Sequence, residues 1–388
     1  MPLSDVLFQD HVHKRIQRAI GAGRLPHACL FTGPEGVGKE MFATRLAAVL
    51  LCSNPGACQA PIPTKESLKQ WREACGACDD CRLTAAGTHP DLHVVHRRLN
   101  KLHPEEKVRR KKAINLSVDV IRHFLIDRIA LRPGQADAKV FIVREADRMT
   151  AQAQNALLKT LEEPPGHGYL ILLSASPAAM LPTVRSRCQH FAFHALPVDF
   201  VRRHLIDQCG LSPEAATLLA ETAQGSPGRA SRLAQAGLHE YLPDLLEQLR
   251  RAASDPLGCG QILQKTAEAL AKQLKPRKTA STTDEDDVDD ALVDTNTARL
   301  AQTLVLAVVA TLLRDVLRTA VGHPALAAPG APAITALARS TTAESVGEAI
   351  RAVSAAEYQI ARSANSRLIF DTLGIALGRG LRAGRAIA

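Results

Sequence analysis

Three short apolar runs stand out in the first half of the chain: HACLFT at 27–32, KVFIV at 139–143 and YLILLSAS at 169–176. Each is bounded by turn or polar residues. Continuous apolar character over so few residues suits strands covered on both faces, and so predicts the centre of a parallel sheet. Between and after these runs, EMFATRLAAVLL and TAQAQNALLKTLEE read as helices. Alternating strand and helix signals predict a doubly wound α/β domain that ends near residue 197.

Beyond that point the strand signals vanish. The stretch LSPEAATLLAETAQGSPGRASRLAQA starts two helices with one device: Ser212 and Ser226 cap an orphan amide, and Pro213 and Pro227 follow at the first helical position. A small helical domain is therefore expected over about 198–240, followed by an all-α domain rich in Ala and Leu over 241–388. Within the latter, KPRKTASTTDEDDVDD (275–290) sets a basic patch before a run of Asp and Glu. Such a segment cannot bury itself, and a disordered acidic surface loop is expected there, to about residue 295.

With 388 residues there is material for two or three cores, and with only 3% aromatics those cores must rest on Leu, Ala, Val and Ile. No run approaches about 18 uninterrupted apolar residues, and the N-terminus lacks the pattern of a signal peptide, so a cytoplasmic protein without a membrane span is expected. The formal charge of +9 permits nucleic acid or acidic partners. Much of it sits in HRRLNKLHPEEKVRRKK (96–112), which reads either as a solvated insertion or as a DNA contact.

The chemistry begins at LFTGPEGVGKEMF (30–42). In the pattern G-x-x-x-x-G-K-[ST], amides and a helix dipole cradle phosphates. Gly33, Gly38 and Lys39 fit, with Gly36 between them, and a strand and a helix lie on the proper sides. Position 40 departs: Glu40 stands where a hydroxyl would hold Mg²⁺, and its charge repels phosphate. In the second half of such a site an Asp holds the metal and a Glu polarises water. Here KVFIVREADRM supplies Arg144 and Glu145. One unit charge pair about 4 Å apart is worth roughly 4 kcal/mol at an effective dielectric near 20, so two changes beside one divalent ion weigh against hydrolysis and against a catalytic Mg²⁺. ATP or ADP binding without hydrolysis stays open, as does a loop serving only as a strand-to-helix turn.

Taken together, GRLPHACLFTGPEGVGKE, NALLKTLEEPP (155–165) and VRSRC (184–188) resemble the clamp-loader branch of the AAA+ ATPases. The resemblance covers residues 1 to about 240, and NSRLIFDTLGIAL (365–377) suits the last helix of that family's oligomerisation collar. It implies an AAA+ domain over 1–197, a lid over 198–240 and a collar over 241–388. Some subunits of the family lose both metal positions, which matches Glu40 and Arg144. The lid arginine of the motor subunits aligns with Gly228, with Arg229 one place along. Ser174 and Ser176 stand where motors keep a polar residue facing nucleotide. Ser186, Arg187 and Cys188 match a motif whose arginine reaches a neighbour's ATP site as a finger in trans; the plainer reading of Arg187 is a local salt bridge.

Cys75, Cys78 and Cys81 form C-x₂-C-x₂-C, which brings three thiolates within reach of one tetrahedral ion. The resemblance suggests Cys52 as the fourth ligand, because similar subunits keep a zinc cysteine at the end of that helix. An insertion before Cys75 makes Cys58 a rival. Four thiolates leave no open position, so the Zn²⁺ would be structural, in a module spanning about 52–91. Cys29, Cys188, Cys209 and Cys259 read as buried apolar residues. The function implied is a clamp-loader subunit that performs no ATP hydrolysis itself. Its partners would be motor subunits, a clamp-opening subunit and, through the complex, the sliding clamp and primed DNA. Two alternatives are an active motor ATPase and a zinc-dependent DNA-binding module.

Overall fold

In the computed structural model, residues 3–57, 72–111, 113–164, 166–274, 287–323, 331–362 and 365–382 are described. The chain divides into two compact units, Met1–Ala195 and Leu196–Ala388.

The first unit is built on five parallel strands: β1 (Ala28–Thr32), β2 (Leu92–Val95), β3 (Lys139–Val143), β4 (Gly168–Ser174) and β5 (Gln189–Ala192), in the order β2-β3-β4-β1-β5. The three apolar runs are the three central strands, and every residue of β1 and β3 is buried. The two edge strands have no such run. An edge strand is partly solvated, so Gln189 and His190, exposed in β5, are tolerated there.

Both faces of the sheet are covered. Leu30 and Phe31, consecutive in β1, point to opposite sides. Phe31 joins Phe42, Phe191 and Phe193 in tilted and edge-to-face contacts, with ring centroids 5.1–5.7 Å apart. This cluster lies under α1 (Asp10–Gly21) and α2 (Lys39–Leu51). Leu30 belongs to the other core, with Phe141, Val143, Leu170 and Leu172. The helices above that core are α4, α5 (Ala151–Glu162) and α6 (Pro182–Arg187). Helix α4 begins as Val118–Ile121, winds as a π-helix over Arg122–Ile126 and ends over Asp127–Ile129. A short helix, α3 (Asp79–Ala86), packs against α2, and Gly56–Ala57 pairs antiparallel with Arg72–Glu73.

The second unit is helical: α7 (Val198–Cys209), α8 (Pro213–Ala223), α9 (Pro227–Gln235), α10 (Leu242–Arg251), α11 (Pro256–Leu274), α12 (Asp287–Ala320), α13 (Ala331–Ser340), α14 (Ala343–Ala361) and α15 (Ser366–Gly380). The expected caps are present. Ser212 accepts the Ala215 amide at 3.3 Å and Ser226 accepts the Arg229 amide at 3.1 Å, each just before the proline that opens its helix. Where α11 crosses α15, backbone meets backbone: a Cβ on Gly374 would lie 2.2 Å from the Pro256 carbonyl oxygen, and one on Gly260 would lie 2.3 Å from that of Phe370.

The acidic-loop expectation needs correction at its C-terminal end. Residues 275–286 lie outside the described residues, but α12 already starts at Asp287, so 287–295 are helical. Within α12, Thr297–Ala320 is long and apolar enough to cross a membrane by length and composition. It is a core helix here: Val305, Val308, Leu312 and Val316 are wholly buried, packed among α11, α13 and α14.

Candidate functional site

The C-terminal ends of β1, β3 and β4 open toward one edge of the sheet, and the chain order reverses at β1, the arrangement that makes a crevice in open α/β sheets. The loop after β1 needs its glycines. Gly33, Gly36 and Gly38 all have positive φ, of 136°, 78° and 99°. Gly33 also lies on Phe193, whose carbonyl oxygen would be 2.1 Å from an added Cβ. Lys39 opens α2 and is buried; its ammonium donates to the carbonyls of Gly33 and of Pro34, the latter at 2.6 Å. Burial lowers the Lys39 pKa, against the opposing pull of Glu35 and Asp147.

The two metal-position departures meet. Arg144, just past β3, is ion-paired with Glu40 in the first turn of α2. Glu145 adopts left-handed backbone, with φ of 52°, and its carboxylate lies 3.1 Å from Arg97 Nε. His96 faces the same cluster. Burial, then the Arg144 and Arg98 guanidiniums, hold its pKa below the ordinary range against Glu145 and Glu40. This donor set does not fit a magnesium ion: the carboxylate at position 40 is already engaged by a cation, and a second guanidinium holds the carboxylate at 145. His96 and Arg97 were legible only as members of a basic stretch.

Several basic side chains of that stretch have local partners. Arg109 donates to the carbonyls of His103 and Pro104 at 2.9 and 2.6 Å, Arg110 pairs with Glu106, and Lys111 lies 2.6 Å from Asp119. Lys112 lies outside the described residues.

The sulfurs of Cys52, Cys75, Cys78 and Cys81 lie within 4.8 Å of one another. Cys52–Cys78 and Cys75–Cys81 are separated by 3.7 and 3.9 Å. Zinc–sulfur bonds of about 2.3 Å in a tetrahedron put sulfurs about 3.8 Å apart, so the four thiols could hold a metal ion. Amides of Cys75, Cys78 and Cys81 donate to the sulfurs of Cys52, Cys75 and Cys78 at 3.3–3.4 Å, support that favours thiolates. Burial pushes the Cys81 thiol up to about 12. At Cys78, burial is outweighed by hydrogen bonds from Ser53, the Cys81 amide and neighbouring thiols, which hold it down at about 6. Four thiolates this close repel one another, and a cation between them would offset that repulsion. The rival ligand Cys58 lies outside the described residues.

A buried polar chain ties this module to the sheet. Asp80, between the cysteines, accepts Gln135 Nε2 at 2.6 Å and lies 3.3 Å from His89 Nε2. The Asp91 amide donates to His89 Nδ1 at 3.0 Å, so Nε2 carries the proton. Asp91 in turn accepts the amides of Gly134, Gln135 and Ala136 at 2.7–2.9 Å. None of these polar residues was singled out from sequence; the signal was a His-Pro-Asp run shortly after the cysteines.

Arg187 ends α6, half-exposed. Its Nη1 donates to the Thr183 carbonyl at 3.1 Å and its Nη2 lies 2.5 Å from Glu162 Oε1. Ser186 Oγ also donates to Thr183, at 3.1 Å. Cys188 is buried and its thiol is pushed up to about 12 by burial; Cys29, near enough to feel it, and Cys259 are buried too, whereas Cys209 is only half-buried. Ser174 is buried at the end of β4, and Ser176 precedes a single helical turn. Arg229 faces Glu357 of α14.

A family model described as "DNA polymerase III, delta subunit" matches residues 8–197. DNA polymerase III subunit delta' of Pseudomonas aeruginosa is 34% identical over 248 residues, which are 63% of this chain and 66% of that protein. Subunit tau of Escherichia coli is 32% identical over 228 residues, 58% of this chain and 31% of tau. Subunit delta' of Bacillus subtilis is 33% identical over 213 residues, 55% of each. The chain thus spans less than two thirds of the length of these relatives.

Proposed function

We propose that the chain, similar to DNA polymerase III delta-prime subunits over its first half, is a clamp-loader subunit of AAA+ type that does not itself hydrolyse ATP. The observation that carries the lack of hydrolysis is the ion pair of Glu40 with Arg144. In a motor these two positions are bridged by a cation and a triphosphate. Here they are bridged by their own charges, while Lys39 is engaged by carbonyls of its own loop. The loop and the end of β3 are therefore tethered without nucleotide, as a rigid subunit requires.

In this reading residues 1–197, 198–240 and 241–388 act as AAA+ domain, lid and collar. The collar seats the chain at one end of a ring with gamma/tau-type motor subunits and a delta-type clamp opener. The complex loads the sliding clamp onto primer-template DNA in the cytoplasm. Arg187 supplies an arginine finger to the adjacent motor's ATP site, a contribution worth about 10³–10⁵ in rate when given in trans. The four thiols of Cys52, Cys75, Cys78 and Cys81 hold a structural Zn²⁺.

Purified chain should show no Mg²⁺-dependent ATP turnover. Turnover that disappears in Lys39→Ala would make this an active motor and overturn the reading. In the assembled complex, Arg187→Ala should leave assembly intact and slow ATP hydrolysis; failed assembly would make Arg187 a structural residue.

A further inference from the structure

Glu162 is the last residue of α5 and Arg187 the last of α6, and the two helices pack together. The guanidinium is fixed at two points, by the Thr183 carbonyl on Nη1 and by the Glu162 carboxylate on Nη2. Both partners of the ion pair are partly exposed, at 36% and 49%, so the pair adds little to folding stability. Its effect falls on the freedom of the arginine. An arginine side chain has many rotamers and loses much entropy on engaging an anion, unless its planar fork is already oriented. Of its five N–H groups, those not taken by Thr183 and Glu162 stay available to an anion from outside the chain.

Resting on the reading of Arg187 as a finger, we propose that Glu162 is its positioning residue. The carboxylate holds the guanidinium in the orientation in which a phosphoryl oxygen of a neighbouring subunit's nucleotide meets it. Glu162 itself touches no nucleotide, and its proximity keeps the finger from collapsing onto other surface carboxylates before assembly.

The test uses the full chain assembled with its motor partners and supplied with ATP. Glu162→Ala should leave assembly and the KM for ATP unchanged and lower kcat about fivefold, the scale of restraint that a half-exposed ion pair supplies. Glu162→Gln, which keeps an acceptor oxygen at the same reach, should recover most of that loss. Combined with Arg187→Ala, Glu162→Ala should slow the complex no further than Arg187→Ala alone. If Arg187→Ala lowers kcat while Glu162→Ala leaves it unchanged or raises it, the positioning role falls and the finger stands. If Arg187→Ala has no effect, the finger reading fails and the positioning role falls with it. Loss of assembly in Glu162→Ala would also overturn it, in favour of a structural role.

Discussion

Glu40 and Arg144, 104 positions apart in the chain, are ion-paired. In the proposed reading each alone removes a ligand from a metal site, and together they occupy the place where the metal would act. Both side chains are nearly half exposed, so the pair adds no more than about 1 kcal/mol to stability. Its importance is chemical, and it makes the two departures one change.

That coupling can be measured. Glu40→Thr together with Arg144→Asp restores a hydroxyl and a carboxylate, and the double variant should gain Mg²⁺-dependent ATP binding by calorimetry. Glu40→Thr alone, which leaves a guanidinium beside the phosphates, should gain none. Equal binding by the single and double variants would mean that Arg144 does not oppose the cation.

The thiol cluster predicts about one bound zinc per chain by atomic absorption. Serine at Cys52, Cys75, Cys78 or Cys81 should each abolish it, whereas Cys58→Ser should retain it. Loss on replacing Cys58 with retention on replacing Cys52 would reassign the fourth ligand.

Asp91 offers a test by pH. Burial opposes its charge, but the amides of Gly134, Ala136 and Gln135 more than offset that and hold its pKa below the usual carboxylate value. A depressed carboxylate stabilises the fold above its unfolded pKa of about 3.9, and that stability is lost as pH falls through the lower folded value. Asp91→Asn should therefore cost about 1–3 kcal/mol at pH 7 in urea unfolding. The gap from the parent should shrink as the pH is taken below about 4. A constant gap would mean that the charge is irrelevant.

At the α11–α15 crossing, Gly374→Ala must push a methyl into the Pro256 carbonyl and should cost about 1–3 kcal/mol in thermal unfolding. Gly347→Ala in α14 is the control. Its Cβ would meet only the end of Arg351, at 3.8 Å, and better helix propensity should make it neutral or up to about 1 kcal/mol stabilising.

The three central strands were legible because burial on both faces demands an unbroken apolar run, and the Ser-Pro helix starts because caps are local. The edge strands were not, since Leu92–Val95 and Gln189–Ala192 need no such run. In the candidate site, single positions could be read off one by one: Gly33, Lys39, Glu40, Arg144, the cysteines. What joins them could not. The pairings of Glu40 with Arg144, Glu145 with Arg97 and Arg187 with Glu162 link residues brought close only by the sheet order and the helix packing above it.

The glycine crossing has a mechanical corollary. With main chain resting directly on main chain at Gly260 and Gly374, no intervening side chain is left to repack, so the final helix cannot roll about its own axis. Leu368 and Ile375, exposed on that helix, are thus presented at a fixed angle, and a neighbour seated against them would have to adopt the pitch this joint dictates.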